Sequence, residues 1–278
     1  MAEPSADENP VAEKDREWWA ITWAERRLVI ADTYGESHPP GTDLGTVAAF
    51  PADMRKGARI PEACVLVFRP EPKAKRPHWT YMTLGLSQPL APHEDGVDQT
   101  TVESPRLSRT GVEVAFVTKD AKYWGPFALF QVARYVLDSK EPIRPGARLP
   151  FRFIRPSGPG ADRDAILTAL GMVPPNHTGV GDMASLLFWP ALDRDGPFVT
   201  STGRFDLLVG TAITGPEWDL AKATSSVHLL LLLVKMGNGQ KTEALRKCLT
   251  LDPKAMAEWE KIKGLTRDQV LEALYGPA

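Results

Sequence analysis

Two groups of residues have the types that could do chemistry. His93, Glu94, Asp95 and Asp98 crowd one polar stretch, and oxygen-rich side chains of that kind could hold a hard cation. Their glycine and carboxylate positions do not match a calcium loop, so no metal is expected there. Glu94, Asp95 and Asp98 are read instead as an exposed acidic surface that could meet a basic protein partner. The second group is dispersed: His78, Tyr81 and Glu113 lie on or beside two strand-like runs. A glutamate buried against aromatic residues would have a raised pKa. An active site assembled from these three around the central strands is the alternative to a binding protein.

Local motifs point away from catalysis. Gly85-Leu86-Ser87 resembles half of a nucleophile elbow, but Pro89 replaces the second glycine and no helix follows. Gly179, Gly181 and Ala184 fit a dinucleotide fingerprint only nominally, because no strand precedes them. The run from Gly237 to Thr242 follows a helix and lacks the Gly-Lys-Thr order that sets a lysine on phosphate, so it reads as a helix end and linker. The five histidines are scattered without metal-type spacing. No cofactor is expected.

The bulk properties agree. The 278 residues are 43% hydrophobic and 24% charged, ordinary for a globular chain with room for a sizeable core. A net charge of −2 provides no basic field for nucleic acid or an anionic membrane. No purely apolar run is longer than the six residues of Leu229 to Val234, too short to span a bilayer, and the acidic N-terminus lacks a secretory apolar core. A cytoplasmic location is expected, with Cys64 and Cys248 as free thiols.

The elements that position these residues follow from periodicity. Residues 1–16 hold almost no large apolar side chain and are expected to be disordered. Trp19, Trp23, Arg26/Arg27 and Ile30 recur at helical spacing from Trp18 to about Tyr34. Short strands are predicted over 46–50 and 151–154. Stronger ones are predicted over 63–68, 78–84, 112–118, 185–189 and 205–213, where β-branched and aromatic residues alternate. The tract EPIRPGARLP reads as a turn, and Asp195-Gly196 as the turn joining the last two strands. Helices are predicted over 127–138, 218–223 and 225–235, and then over 242–249, 253–263 and 266–274 as a C-terminal tail. Thr214 with Glu217, and Thr266 with Gln269, have capping-box spacing.

With the elements placed, the runs HWTYMTLGLS, GVEVAFVT, WGPFALFQVARYVLDS and FDLLVGTAITGPEWDLAKATSSVHLLLLL resemble the Suppressor of fused (SUFU) family. The residues carrying the likeness are His78, Trp79, Tyr81, Gly85, Leu86 and Ser87; Gly111, Glu113 and Phe116; Ala133, Arg134, Tyr135 and Val136; and Val209, Gly210, Thr214 and Glu217. Their order and spacing agree over about residues 18–237.

The resemblance implies an α/β (α+β) fold, a central mixed sheet flanked by helices, with a SUFU-like domain over 17–239 and a helical extension over 240–278. It implies a protein partner and binding in place of catalysis. Bacterial members with this domain alone are associated with immunity to toxins, so a toxin is the specific partner expected. The family's animal members hold Gli-type transcription factors. That partner is not carried over, because the sequence after Ser87 departs to QPLAPH.

Overall fold

The computed structural model describes residues 10–35, 64–71, 77–87, 107–119, 124–139, 143–150, 183–194, 196–243 and 246–276. The aromatic and β-branched run centred on Tyr81 forms strand β2 (Trp79–Leu84). Pairing to either side of it are β1 (Cys64–Phe68) and β3 (Leu107–Thr118), both antiparallel to it. Four further strands complete the described sheet: β4 (Arg148–Pro150), β5 (Met183–Pro190), β6 (Phe198–Thr200) and β7 (Gly203–Thr214). The order is β1-β2-β3-β7-β5-β4, with β6 paired to β7. β3 and β7 run parallel and the remaining pairs antiparallel, so the sheet is mixed, as expected.

Side chains alternate across this sheet, and helices cover both faces. Tyr81, Phe116 and Phe188 point to the face that receives α2 (Trp124–Ser139); the Tyr81 ring lies 2.8 Å from where a Cβ on Gly125 would stand. Gly210 is needed on the same face, since its Cβ would stand 2.5 Å from the Phe116 ring. The other face carries Thr80, Ala115, Val117 and Val209. It faces Tyr34, near the end of α1 (Pro10–Tyr34), and Val234. Val234 belongs to the second of two consecutive helices, α3 (Gly215–Ala223) and α4 (Ser226–Lys235).

α4 is apolar all round, with Leu229 to Leu233 buried, and must be covered on several sides. The C-terminal helices α5 (Pro253–Ile262) and α6 (Arg267–Tyr275) supply that cover. Trp259, Ile262 and Val270 join the α4 leucines, Leu187, Trp189 and Ile213 in one buried cluster. His228 fixes the contact, with Nδ1 2.6 Å from Ser225 Oγ and Nε2 3.0 Å from the Leu265 carbonyl. Trp189 Nε1 donates to the Tyr275 hydroxyl at 2.8 Å. The helices read from the sequence as a tail are therefore packed onto the sheet's own strands.

Several expectations shift. α1 starts at Pro10, upstream of Trp18, so it overlaps the stretch expected to be disordered; proline at a first helical position loses no hydrogen bond. The tract read as a turn before 151 contains β4, whose backbone pairs with β5. Between β5 and β7 the chain inserts β6, which forms a tight hairpin onto β7. No helix runs over 242–249 among the described residues, because Thr242 N donates to Val117 O and only a 3-10 turn forms at Leu249–Leu251. The strands predicted over 46–50 and 151–154 lie outside the described residues.

Deleting residues 240–278 would expose the leucines of α4. The 1–239 fragment is expected to be insoluble or to lose its cooperative thermal transition, checked by circular dichroism. Trp259→Ala in the full chain is expected to cost about 3–5 kcal/mol in denaturant unfolding. A folded, monodisperse 1–239 fragment would show that the tail is dispensable.

Candidate functional site

Arg26 and Glu113 meet at one end of the β2–β3 pair. Glu113 on β3 is fully buried. Its Oε1 accepts from Gly85 N and Ser87 N at 2.9 Å each and from Ser87 Oγ at 2.6 Å, while Oε2 accepts from Thr83 Oγ1 at 2.6 Å. Gly85, with φ 136°, turns the chain so that both backbone amides converge on the carboxylate. Burial pushes the Glu113 carboxyl above its ordinary range, against the hydrogen bonds from Ser87, Thr83 and Gly85. Arg26, in the middle of α1, closes the network: Nε donates to Ser87 O at 3.1 Å and Nη1 to Thr202 Oγ1 at 2.9 Å. Its guanidinium lies 5.5 Å from the Phe205 ring centroid. Burial lowers its pKa to about 10, with Glu113 and Glu25 pulling the other way.

A second buried carboxylate sits where β7 passes into α3. Glu217 Oε2 accepts from Thr214 N at 2.9 Å, closing the helix start, and Oε1 accepts from Leu249 N at 2.8 Å. Arg246 grips both oxygens, through Nη1 on Oε1 at 2.6 Å and through Nη2 on Oε2. Arg246 Nη2 also donates to Ala212 O at 2.7 Å. Burial would raise the Glu217 pKa. The hydrogen bonds and charge of Arg246, with Leu249 N and Thr214 N, outweigh it and hold the carboxyl below its ordinary range.

The proposed dispersed active site is not assembled. His78 lies beside Thr80 on the α1 face, Tyr81 packs on the α2 face, and Glu113 is held at the far end of the strand pair. Tyr81, an odd number of positions from His78, falls on the opposite face, while Glu113 shares the face of Ala115 and Val117 but sits at the other end of the strand pair. Ser87 is buried and donates to Glu113, so it is not poised as a nucleophile. The 237–241 stretch is a turn with Gly237 at φ 72°, as expected for a helix end. Glu94, Asp95 and Asp98 lie outside the described residues, as do His93, Gly179 and Gly181. Among the described residues no three His, Cys, Asp or Glu side chains are placed to hold a metal, and no helix is long and apolar enough to cross a membrane. Cys64 and Cys248 are free thiols.

Arg26 was legible in part. It falls in the helical register of Trp23 and Ile30, and an arginine on a buried stripe demands an acidic or carbonyl partner. Nothing in the local sequence points to Arg246.

A mixed sheet with helices on both faces, its buried carboxylates held by internal donors, defines a mixed α/β domain. Residues 61–246, which contain all the described strands, match the model of the Suppressor of fused protein (SUFU) family, and the chain belongs to that family. Among solved structures, the Sufu–Fu complex is similar at 14% identity and TM-score 0.55, covering 85% of this chain and 96% of that one. Drosophila Suppressor of Fused is 16% identical with TM-score 0.48, over 72% of this chain and 45% of that chain. A SUFU homologue from Neisseria gonorrhoeae is 10% identical with TM-score 0.47, over 82% and 97%. A search of curated proteins gives no significant match.

Glu113→Ala would leave three buried donors, Gly85 N, Ser87 N and Ser87 Oγ, without their acceptor and is expected to cost about 3–5 kcal/mol. Glu113→Gln keeps an acceptor at Oε1 and turns its amide to Thr83 Oγ1, whose proton can move to Val114 O, 3.3 Å away. Its cost is expected to stay below about 1.5 kcal/mol. Because the folded pKa is raised, the unfolded chain releases this proton first, and wild-type stability falls as pH rises from the ordinary glutamate value to the folded one. Thermal melts across that window should therefore show wild type losing ground to Glu113→Gln as pH rises. Parallel curves would refute the raised carboxyl.

Arg246→Ala strands an ionised Glu217 and is expected to cost about 3–5 kcal/mol at neutral pH. In the wild type, stability from the depressed Glu217 pKa is present above the ordinary value of 4.5 and lost as pH falls through the folded one. The deficit of the variant should accordingly shrink below about pH 4.5 in urea titrations. A deficit independent of pH would assign the loss to packing alone.

Proposed function

We propose that this chain works in the cytoplasm as a non-catalytic protein-binding domain, and that its partner is a toxin that it neutralises. The observation that carries the reading is the separation of His78, Tyr81 and Glu113, the three side chains from which an active site around the central strands would be built. Family membership supports the same direction, since a structure of similar fold is that of the Sufu–Fu complex, a protein bound to a protein. A rigid sheet braced by internal carboxylates is suited to presenting loops to a partner.

The acidic residues Glu94, Asp95 and Asp98 are the contact we assign to that partner, because toxins that act on nucleic acid present basic clefts. The test is co-expression of the tagged chain with the product of an adjacent open reading frame, followed by affinity capture. A stoichiometric partner whose toxic activity is silenced in the complex is the expected result. Reversing the three charges should slow association and flatten its dependence on salt. A captured partner without toxicity would keep the binding role and remove the immunity role; turnover of a substrate by the isolated chain would remove both.

A further inference from the structure

On the α1 face of the sheet lies an open hollow that the buried networks do not use. Its volume, about 410 Å³, falls within the range of small-molecule sites. The floor is apolar, made by Ala115 and Val117 of β3, Leu207 and Val209 of β7, and Val234 of α4. Gly237 and Gly239 form part of its lip without side chains to close it. Gly239 cannot be enlarged, since a Cβ there would stand 2.5 Å from Val234 Cγ2.

The rim is polar: it carries one carboxylate, Asp193, and two nitrogens with hydrogen-bonding capacity to spare, His78 Nδ1 and Lys241 Nζ. His78 Nδ1 is buried and has no partner. Lys241 Nζ donates to Gly237 O at 3.1 Å, which uses one of its three N–H groups. Asp193 also lines the hollow, but its Oδ1 accepts from the Tyr34 hydroxyl at 3.3 Å. Glu243 is the acidic group near His78, and its Oε1 accepts from Lys119 N. Burial and then the charge of Lys241 hold the His78 imidazole below its ordinary pKa, with Glu243 opposing and Lys119 assisting. An anionic head with an apolar body satisfies both halves of the site. One ammonium and one imidazole match a monoanion; among the described residues no arginine fork or helix N-terminus lines the hollow to hold a phosphate.

We propose that this hollow binds a small aliphatic or aryl carboxylate, its carboxylate accepting from Lys241 Nζ and His78 Nδ1 and its hydrocarbon lying on Ala115, Val117 and Val209. The site is independent of the protein-binding role, and its test uses the isolated chain. Calorimetric titration of the full chain with 3-phenylpropionate and with octanoate should give one site per chain and a raised thermal midpoint. The corresponding uncharged amides should bind about tenfold more weakly, because the charge-assisted hydrogen bonds are lost. Lys241→Gln should weaken the acids by about the same factor while leaving the amides and the ligand-free midpoint unchanged. His78→Gln provides the same comparison from the other side of the carboxylate. Absence of heat and of any midpoint shift with both acids at millimolar concentration would overturn the site. So would equal affinity for acid and amide, or undiminished acid binding in both variants.

Discussion

An ionised carboxylate with no exposure, Glu217, stands where β7 turns into α3, and much of the C-terminal half is arranged to satisfy it. Removing such a charge from water costs several kcal/mol unless a cation and further donors replace the hydration. Arg246 is the cation, and Leu249 N and Thr214 N are the donors. To deliver them, the chain leaving α4 must come back across the sheet. It is pinned on the way by Thr242, whose N–H meets Val117 O and whose hydroxyl meets Gly210 O. That return path is incompatible with a helix over the same residues. It also sets α5 and α6 over the leucines of α4, so one polar requirement and one apolar requirement are met by the same segment.

Glu113 solves the same problem by other means, and the comparison shows how surroundings set a carboxyl's chemistry. Glu217 has a guanidinium in direct contact and is held ionised. Glu113 is surrounded by hydroxyls and amides, with Arg26 bonded to the Ser87 carbonyl and not to the carboxylate itself, and burial dominates. Its four donors come from the end of β2 and the turn that follows, so it shapes the exit from that strand. Both groups are internal braces. They stiffen the centre of the sheet, one at the exit from β2 and the other where β7 passes into α3.

The strands around Tyr81, Glu113 and Val209 were legible because residues buried on both faces of a sheet leave a continuous run of β-branched and aromatic side chains. The α4 leucines and the capping box of α6 were legible for the same reason, that each signal is confined to a few neighbouring positions. The four runs that match the SUFU family all lie within the matched span or its immediate strands, so local sequence determined the family and the fold class. Tertiary structure alone decided the rest. β4 and β6 are short and form only because a partner strand offers its edge. The described residues between 242 and 249 give up a helical pattern because β3, β7 and Glu217 offer better partners for their polar groups. His78, Tyr81 and Glu113 are separated by the faces and ends of a pleated sheet, and the hollow beside His78 is bounded by α1, the sheet and the 237–241 turn. Such placements depend on contacts between residues distant in the chain, and periodicity along it carries no record of them.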